Sequence, residues 1–161
     1  MKLKLIVIFF LIFISKNLYS GETSEWLKRE IDIILEAYKN QNISNENRFL
    51  LIEKTINNNF AGTGIAKFVA GEAWKKSDKN TKKIYIDNFK RHLALNIASM
   101  MQGYSDQTYE LTKSKYDQKN QVTLIDMEIF SDTGSVVVTW RVKESKDRFF
   151  VIDLIVADIS L

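Results

Sequence analysis

The chain has 161 residues, with 23 Lys or Arg against 20 Asp or Glu, one His, no Cys and no Pro. Without cysteine there can be no disulfide, thiol catalysis, thiolate metal site or lipid anchor on a modified Cys, and one histidine cannot make a paired-histidine metal site. Lys2, Lys4 and Lys16 account for the whole excess of +3, so the nucleic-acid reading that a basic pI invites loses its support once that first segment is set aside.

In chain order, residues 1–20 read as a secretory signal. Lys2 and Lys4 give a basic start, Leu5 to Ile14 is an unbroken apolar run, and Leu18, Tyr19 and Ser20 precede Gly21. The run falls well short of the roughly 20 apolar residues that a membrane-spanning helix needs. Cleavage is expected after about Ser20, which leaves residues 21–161 as one exported domain, not embedded in a membrane when mature.

From Ser24 to about Asn40, Leu27, Ile31, Ile34 and Tyr38 recur at helical spacing with charged residues between them, an amphipathic helix. A second helix follows from Ser44, a capping residue, with a buried stripe of Phe49, Ile52, Ile56 and Phe60 and an end at Asn57 to Asn59. Ala61 to Gly64 is expected to be a short flexible link, after which a third helix begins at Ile65, Phe68 and Val69 and reaches Gly71 and Trp74. The longest helix is expected from Ser77 or Asp78 to Gly103, along Ile86, Phe89, Leu93, Ile97, Met100 and Tyr104.

Beyond Gly103 the period falls to two, and four strands fit: Thr108 to Tyr116, Val122 to Phe130, Ser135 to Lys143 and Arg148 to Ile159. The breaks between them are short enough for hairpins. In the second strand the apolar phase slips between Leu124 and Ile125, which predicts a bulge there. The fourth is apolar on both faces, as expected of a strand deep in a core or lining something apolar. Helices first and a strand meander afterwards give an α+β layer, with the helices on one face of a curved antiparallel sheet.

The catalytic inventory is small. His92 falls on the flank of the long helix, and Asp153 interrupts the apolar fourth strand, where a charge is costly unless paired or hydrogen-bonded. An enzyme of cone-shaped α+β plan would have to rest on one of these two. Basic residues crowd the stretch from Lys75 to Arg91, either as a solvated helix exterior or as a docking patch for an acidic partner or lipid phosphate, carried by Lys75, Lys79 and Lys83. Large side chains, among them Trp74, Phe89, Trp140, Phe149 and Phe150, are supplied to a single modest layer. Rings against a curved sheet tend to leave room for an apolar guest, although the same positions could fill a solid core in a purely structural interaction domain.

Several of these residues carry a family likeness. Gly71, Trp74 and Lys75, then Phe89 and Leu93 on the helix, then Ala98 and Tyr104, follow one pattern, and Phe149, Val151, Asp153, Ser160 and Leu161 a second. Together they resemble the Mla-type periplasmic phospholipid-binding family (MlaC, the toluene-tolerance auxiliary substrate-binding family). That family usually has Gly where Asp158 stands, and its members usually continue with further helix beyond the Ser-Leu ending.

The resemblance implies an α+β fold with N-terminal helices packed on a curved four-stranded antiparallel sheet, an NTF2-like cone with an apolar pocket. It also implies a periplasmic carrier without catalytic residues, cofactor or metal, which passes phospholipid between an outer-membrane lipoprotein and porin complex and an inner-membrane lipid ABC transporter with a lipid-binding ring. The apolar lining it suggests comes from the helices (Phe60, Ile65, Phe68, Val69, Trp74, Phe89, Leu93, Ile97, Met100), the turn residue Tyr104 and the sheet (Val136, Val138, Trp140, Phe149, Val151).

Overall fold

The computed structural model describes the backbone of residues 2–102, 104, 107–156 and 159–160, with side chains from residue 21 to 159 of that set. Helix α1 spans Lys2–Lys39 and is the longest, ahead of the helix expected to be so. Its apolar stripe behaves as the spacing demands, since Leu27 and Ile31 are buried in a core shared with the sheet. Helix α2, Asn45–Asn59, starts as expected at Ser44, whose side chain accepts from the Asn47 amide, and buries Ile52 and Ile56.

One side chain joins these two helices. Arg48, in the first turn of α2, donates to the carbonyls of Ala37, Tyr38 and Asn40 at 2.9 to 3.2 Å. A helix ends with carbonyls that have no partner inside it and a partial negative charge, so a guanidinium there caps α1 and fixes where α2 begins.

The segment expected as a flexible link is already helical. Helix α3 covers Gly62–Ala70, because Gly62 and Ala66 are buried and small enough to bring α3 close to the next long helix. The third helix then breaks. Gly71 adopts φ +53° and ψ −126°, a conformation that side-chain-bearing residues avoid, and a separate short helix α4, Glu72–Lys76, follows. Helix α5 spans Lys79–Met101, capped by Asp78, which accepts from the Asn80 and Thr81 amides. Gly103, the expected end of this helix, lies outside the described residues, as do Asp158 and Leu161 of the closing motif.

The strands are β1 Thr108–Asp117, β2 Val122–Ser131, β3 Gly134–Ser145, β4 Arg148–Val156 and the two-residue β5 Ile159–Ser160. They form one antiparallel meander in the order β1-β2-β3-β4-β5. The expected fourth strand is therefore divided, with β5 folding back on the end of β4 through Ile155 and Ser160. The β3–β4 turn consists of Lys146 and Asp147, both at positive φ (53° and 58°), the twist that a two-residue hairpin favours.

The bulge expected in β2 is absent, and β2 pairs with β3 without interruption from Thr123 to Ser131. Register shifts fall instead on its neighbours, at Thr112 of β1 and Ile152 of β4. The second of these explains the doubly apolar fourth strand. Val151 pairs with Val142, Leu154 with Trp140 and Val156 with Val138, so apolar residues on both sides of the extra Ile152 reach the same inner face.

Two apolar clusters result. One joins α1 to the sheet through Leu27, Ile31, Ile125, Met127, Val138, Val142 and Val151. The other joins α2 to α5 through Ile52, Ile56 and Ala94. Phe60 packs against both. At the sheet margin the Tyr109 hydroxyl donates to Asp32 at 2.6 Å, and Lys28 reaches the same carboxylate at 2.6 Å, which ties β1 to α1.

Candidate functional site

Between the two clusters lies an apolar cavity of about 70 Å³. Trp26, Leu27, Ile31 and Ile34 of α1 form one wall, Ile52 and Ile56 of α2 with Ile97 of α5 a second, and Trp140 and Val151 of the sheet the floor. Polar residues enter only through Glu30, Thr55 and Asn59. Asn59 Nδ2 donates to Glu30 Oε2 at 2.6 Å, which joins α2 to α1 at the cavity wall.

A hollow of about 70 Å³ is well below the ~300 Å³ at the low end for ligand pockets, and a fatty tail needs more room than it gives. At about 24 cal/mol per Å³, an empty space of about 70 Å³ costs about 2 kcal/mol. α2 and α5 share one core and the sheet the other, and α1 packs against both.

Trp140 Nε1 is buried and has no hydrogen-bond partner among the described residues, and an unsatisfied buried donor costs about 1–3 kcal/mol; it does not open onto the cavity, whose accessible surface is apolar.

Of the residues singled out for the lining, Phe60, Ile97, Trp140 and Val151 meet at this cavity. Leu93 packs in the α2–α5 cluster, and Val138 and Phe149 in the sheet cluster, the latter with its ring 5.6 Å from that of Trp26. Ile65 and Phe89 are partly buried away from it, with the Phe89 ring against Tyr85. The Trp74 ring lies under the Lys82 ammonium, and the Tyr104 hydroxyl donates to the Gln107 carbonyl. Phe68, Val69, Met100 and Val136 are 85, 56, 66 and 50% exposed. The lining expected from the sequence did not include Leu27, Ile31, Ile34, Ile52 and Ile56, although their helical spacing was plain, because periodicity gives a buried face and not which part of it borders a void; Trp26, outside that stripe, also borders the cavity.

The charged candidates lie elsewhere. Lys75 pairs with Glu72 at 2.7 Å, Lys79 and Lys83 stand exposed on the first turns of α5, and none of the three lines the apolar cavity. His92 is exposed on α5, with Asn96 Nδ2 at 3.1 Å from its Nε2. Asp153 faces Arg141 across β3 and β4 at 3.2 Å, with 10% of its side chain exposed. Both belong to the sheet face opposite Trp140 and Val142.

A second, more open cleft of about 450 Å³ lies at the free edge of β4. There the Ala61 amide donates to the Val151 carbonyl at 2.9 Å, and Phe60 bridges to Val151. Phe60 borders both spaces.

Comparison with known proteins agrees with this architecture. A family model described as MlaC protein matches residues 28–161. Among solved structures, the chain resembles the phospholipid-binding protein from Ralstonia solanacearum in complex with a phospholipid, with a TM-score of 0.75 and 15% identity over 86% of this chain and 79% of that one. No curated protein sequence matches the chain.

Proposed function

The chain belongs to the MlaC family, and from that membership we propose that it is a phospholipid carrier that holds acyl chains in the seam between the α2–α5 unit and the sheet. The observation that carries this reading is the apolar cavity at that seam, lined by Ile31, Ile56, Ile97 and Val151. The fold shared with the Ralstonia protein supports the same reading.

The energetics explain why such a carrier is needed. Two acyl chains contain on the order of 30 methylenes, and exposing them to water costs roughly 24 kcal/mol at about 0.8 kcal/mol each. A dry pocket removes most of that cost, and because hydrocarbon is equally comfortable in a bilayer, exchange between the two is close to neutral. Opening the seam is offset by the apolar area that the tails cover inside it.

In this reading the chain is exported, is cleaved after about Ser20, and moves lipid between an outer-membrane lipoprotein and porin complex and an inner-membrane ABC transporter with a lipid-binding ring, contributing to outer-membrane lipid asymmetry. Direction comes from those partners, since a near-neutral exchange has none of its own. No helix among residues 21–159, those whose side chains are described, is long and apolar enough to cross a membrane. Binding rather than catalysis is favoured because neither His92 nor Asp153 borders the cavity. Native mass spectrometry and lipid extraction of the exported protein test the proposal: a diacyl phospholipid is expected, and protein that is consistently empty overturns it.

A further inference from the structure

Helix α3 carries an aromatic side chain that its packing does not explain. Gly62 and Ala66, one turn apart, are buried, and Gly62 lies against the Lys90 side chain of α5. Phe68 falls on the opposite side of the helix and is 85% exposed, and Val69 beside it is 56% exposed. A phenyl ring left in water forgoes the apolar burial that usually places aromatic side chains inside.

The surroundings of that ring are basic. From Lys67 to Ile84 there are six lysines against Glu72 and Asp78, although the chain beyond residue 20 has no net excess of either sign. Both acids are already engaged, Glu72 with Lys75 at 2.7 Å and Asp78 as the cap of α5. Lys67, Lys76, Lys79 and Lys83 are exposed and make no ion pair or hydrogen bond among the described residues.

The chain turns tightly through this stretch. The Gly71 amide donates to the Phe68 carbonyl, Trp74 to Gly71 and Ser77 to Trp74, at 3.2 to 3.4 Å. The Lys82 ammonium lies 5.5 Å from the centre of the Trp74 ring, so the start of α5 folds back on α4. Lysines spread over three elements, without converging on one point, suit an extended anionic surface and not a single ion. Lysine is depleted at the cores of protein–protein interfaces, whereas exposed Phe among lysines is the composition of segments that lie at a lipid boundary.

We propose that the α3–α4 turn docks on an anionic phospholipid bilayer, with Phe68 and Val69 entering the headgroup boundary and the lysines facing lipid phosphates around them. This goes beyond the carrier reading and does not rest on it, since none of these residues lines the apolar cavity.

The exported protein is sedimented with vesicles of phosphatidylcholine alone or of phosphatidylcholine with phosphatidylglycerol. Binding is expected only to the anionic vesicles, and salt is expected to weaken it. Phe68→Ser is expected to weaken binding about 10-fold, and Lys76→Gln/Lys79→Gln/Lys83→Gln about 100-fold. The corresponding triple Arg variant keeps the charge and is expected to keep binding. Urea midpoints should not move, because all four side chains are exposed.

Absence of binding, or equal binding to neutral and anionic vesicles, overturns the docking surface. Loss confined to the Gln variant marks a bare charge patch, as an acidic protein would use, and loss confined to Phe68→Ser marks a purely apolar contact; either overturns the assignment to an anionic bilayer. Lipid extracted from the same preparation reports on the carrier reading separately, so protein that holds lipid but ignores vesicles sinks the docking surface alone.

Discussion

Glu30 and Asn59 join α1 to α2 through a 2.6 Å hydrogen bond at the wall of the apolar cavity. α1 packs into both clusters, through Leu27 and Ile31 in one and Ile34 and Tyr38 in the other, so a guest that moves α2 away from α1 must stretch or break this contact. Asn59→Ala is expected to cost about 1 kcal/mol or less, as for one partly solvated hydrogen bond. It is also expected to speed lipid uptake and release, measured by stopped-flow transfer of a fluorescent phospholipid between vesicles. Unchanged transfer rates would place the opening elsewhere.

Ile97 and Val138 separate a lining position from a packing position. Ile97 borders the cavity, so Ile97→Trp is expected to fill the hollow and abolish lipid retention while leaving the urea midpoint nearly unchanged. Val138 is buried in the sheet cluster with Met127 opposite and Val156 beside it. Val138→Trp is expected to destabilise by about 1–3 kcal/mol through overpacking.

Asp153 is held on the outer sheet face by Arg141, directly opposite it across two strands. Arg141→Met is expected to cost about 2 kcal/mol, less than the ~3–5 kcal/mol for breaking a fully buried pair, because the arginine is partly exposed. Urea denaturation measures the loss. Lipid retention in the folded variant should not change.

The Asp32–Tyr109 bond gives stability a dependence on pH. Burial raises the Asp32 pKa, but the hydrogen bonds from Lys28 and Tyr109 outweigh it and hold the carboxyl below its ordinary value of 3.8. Burial and then Asp32 push the Tyr109 phenol up from 10.0. The carboxylate's contribution is complete above pH 3.8 and is lost as pH falls through its lowered value. The phenol's is complete below pH 10.0 and is lost as pH rises toward its raised value. Tyr109→Phe is expected to weaken the alkaline decline and also the acid one. Some alkaline decline should persist, because burial raises Tyr38 as well, against a smaller lowering by Arg48. Denaturation midpoints across the range check this.

At the β3–β4 turn, Lys146 and Asp147 occupy positive φ, where side-chain-bearing residues are strained and Asn-Gly is preferred. Lys146→Asn/Asp147→Gly is expected to raise stability by about 1 kcal/mol, read from the thermal midpoint.

Much of this arrangement was legible in the residues. Ser44 and the stripe through Ile52 and Ile56 mark α2, and Asp78 opens α5, because capping and helical period are local and act through neighbours a few positions away. Strand alternation is local too, and the hairpins fell where short polar breaks stood. The bulges were not legible, since a register shift belongs to two strands at once: Leu124 and Ile125 suggested one in β2, while Thr112 and Ile152 carry them. The cavity wall was only partly legible. Ile97 and Trp140 were named for it, but Trp26 and Ile34 read as ordinary helix positions, and whether a buried face meets another side chain or a gap depends on residues far away in sequence.

Phe60 touches both clusters and borders both spaces. A single ring thus stands where the two compartments adjoin, and filling either one must alter its surroundings. A fluorine label on that phenyl group would give one resonance that senses both spaces, and its response would tell which of them fills first.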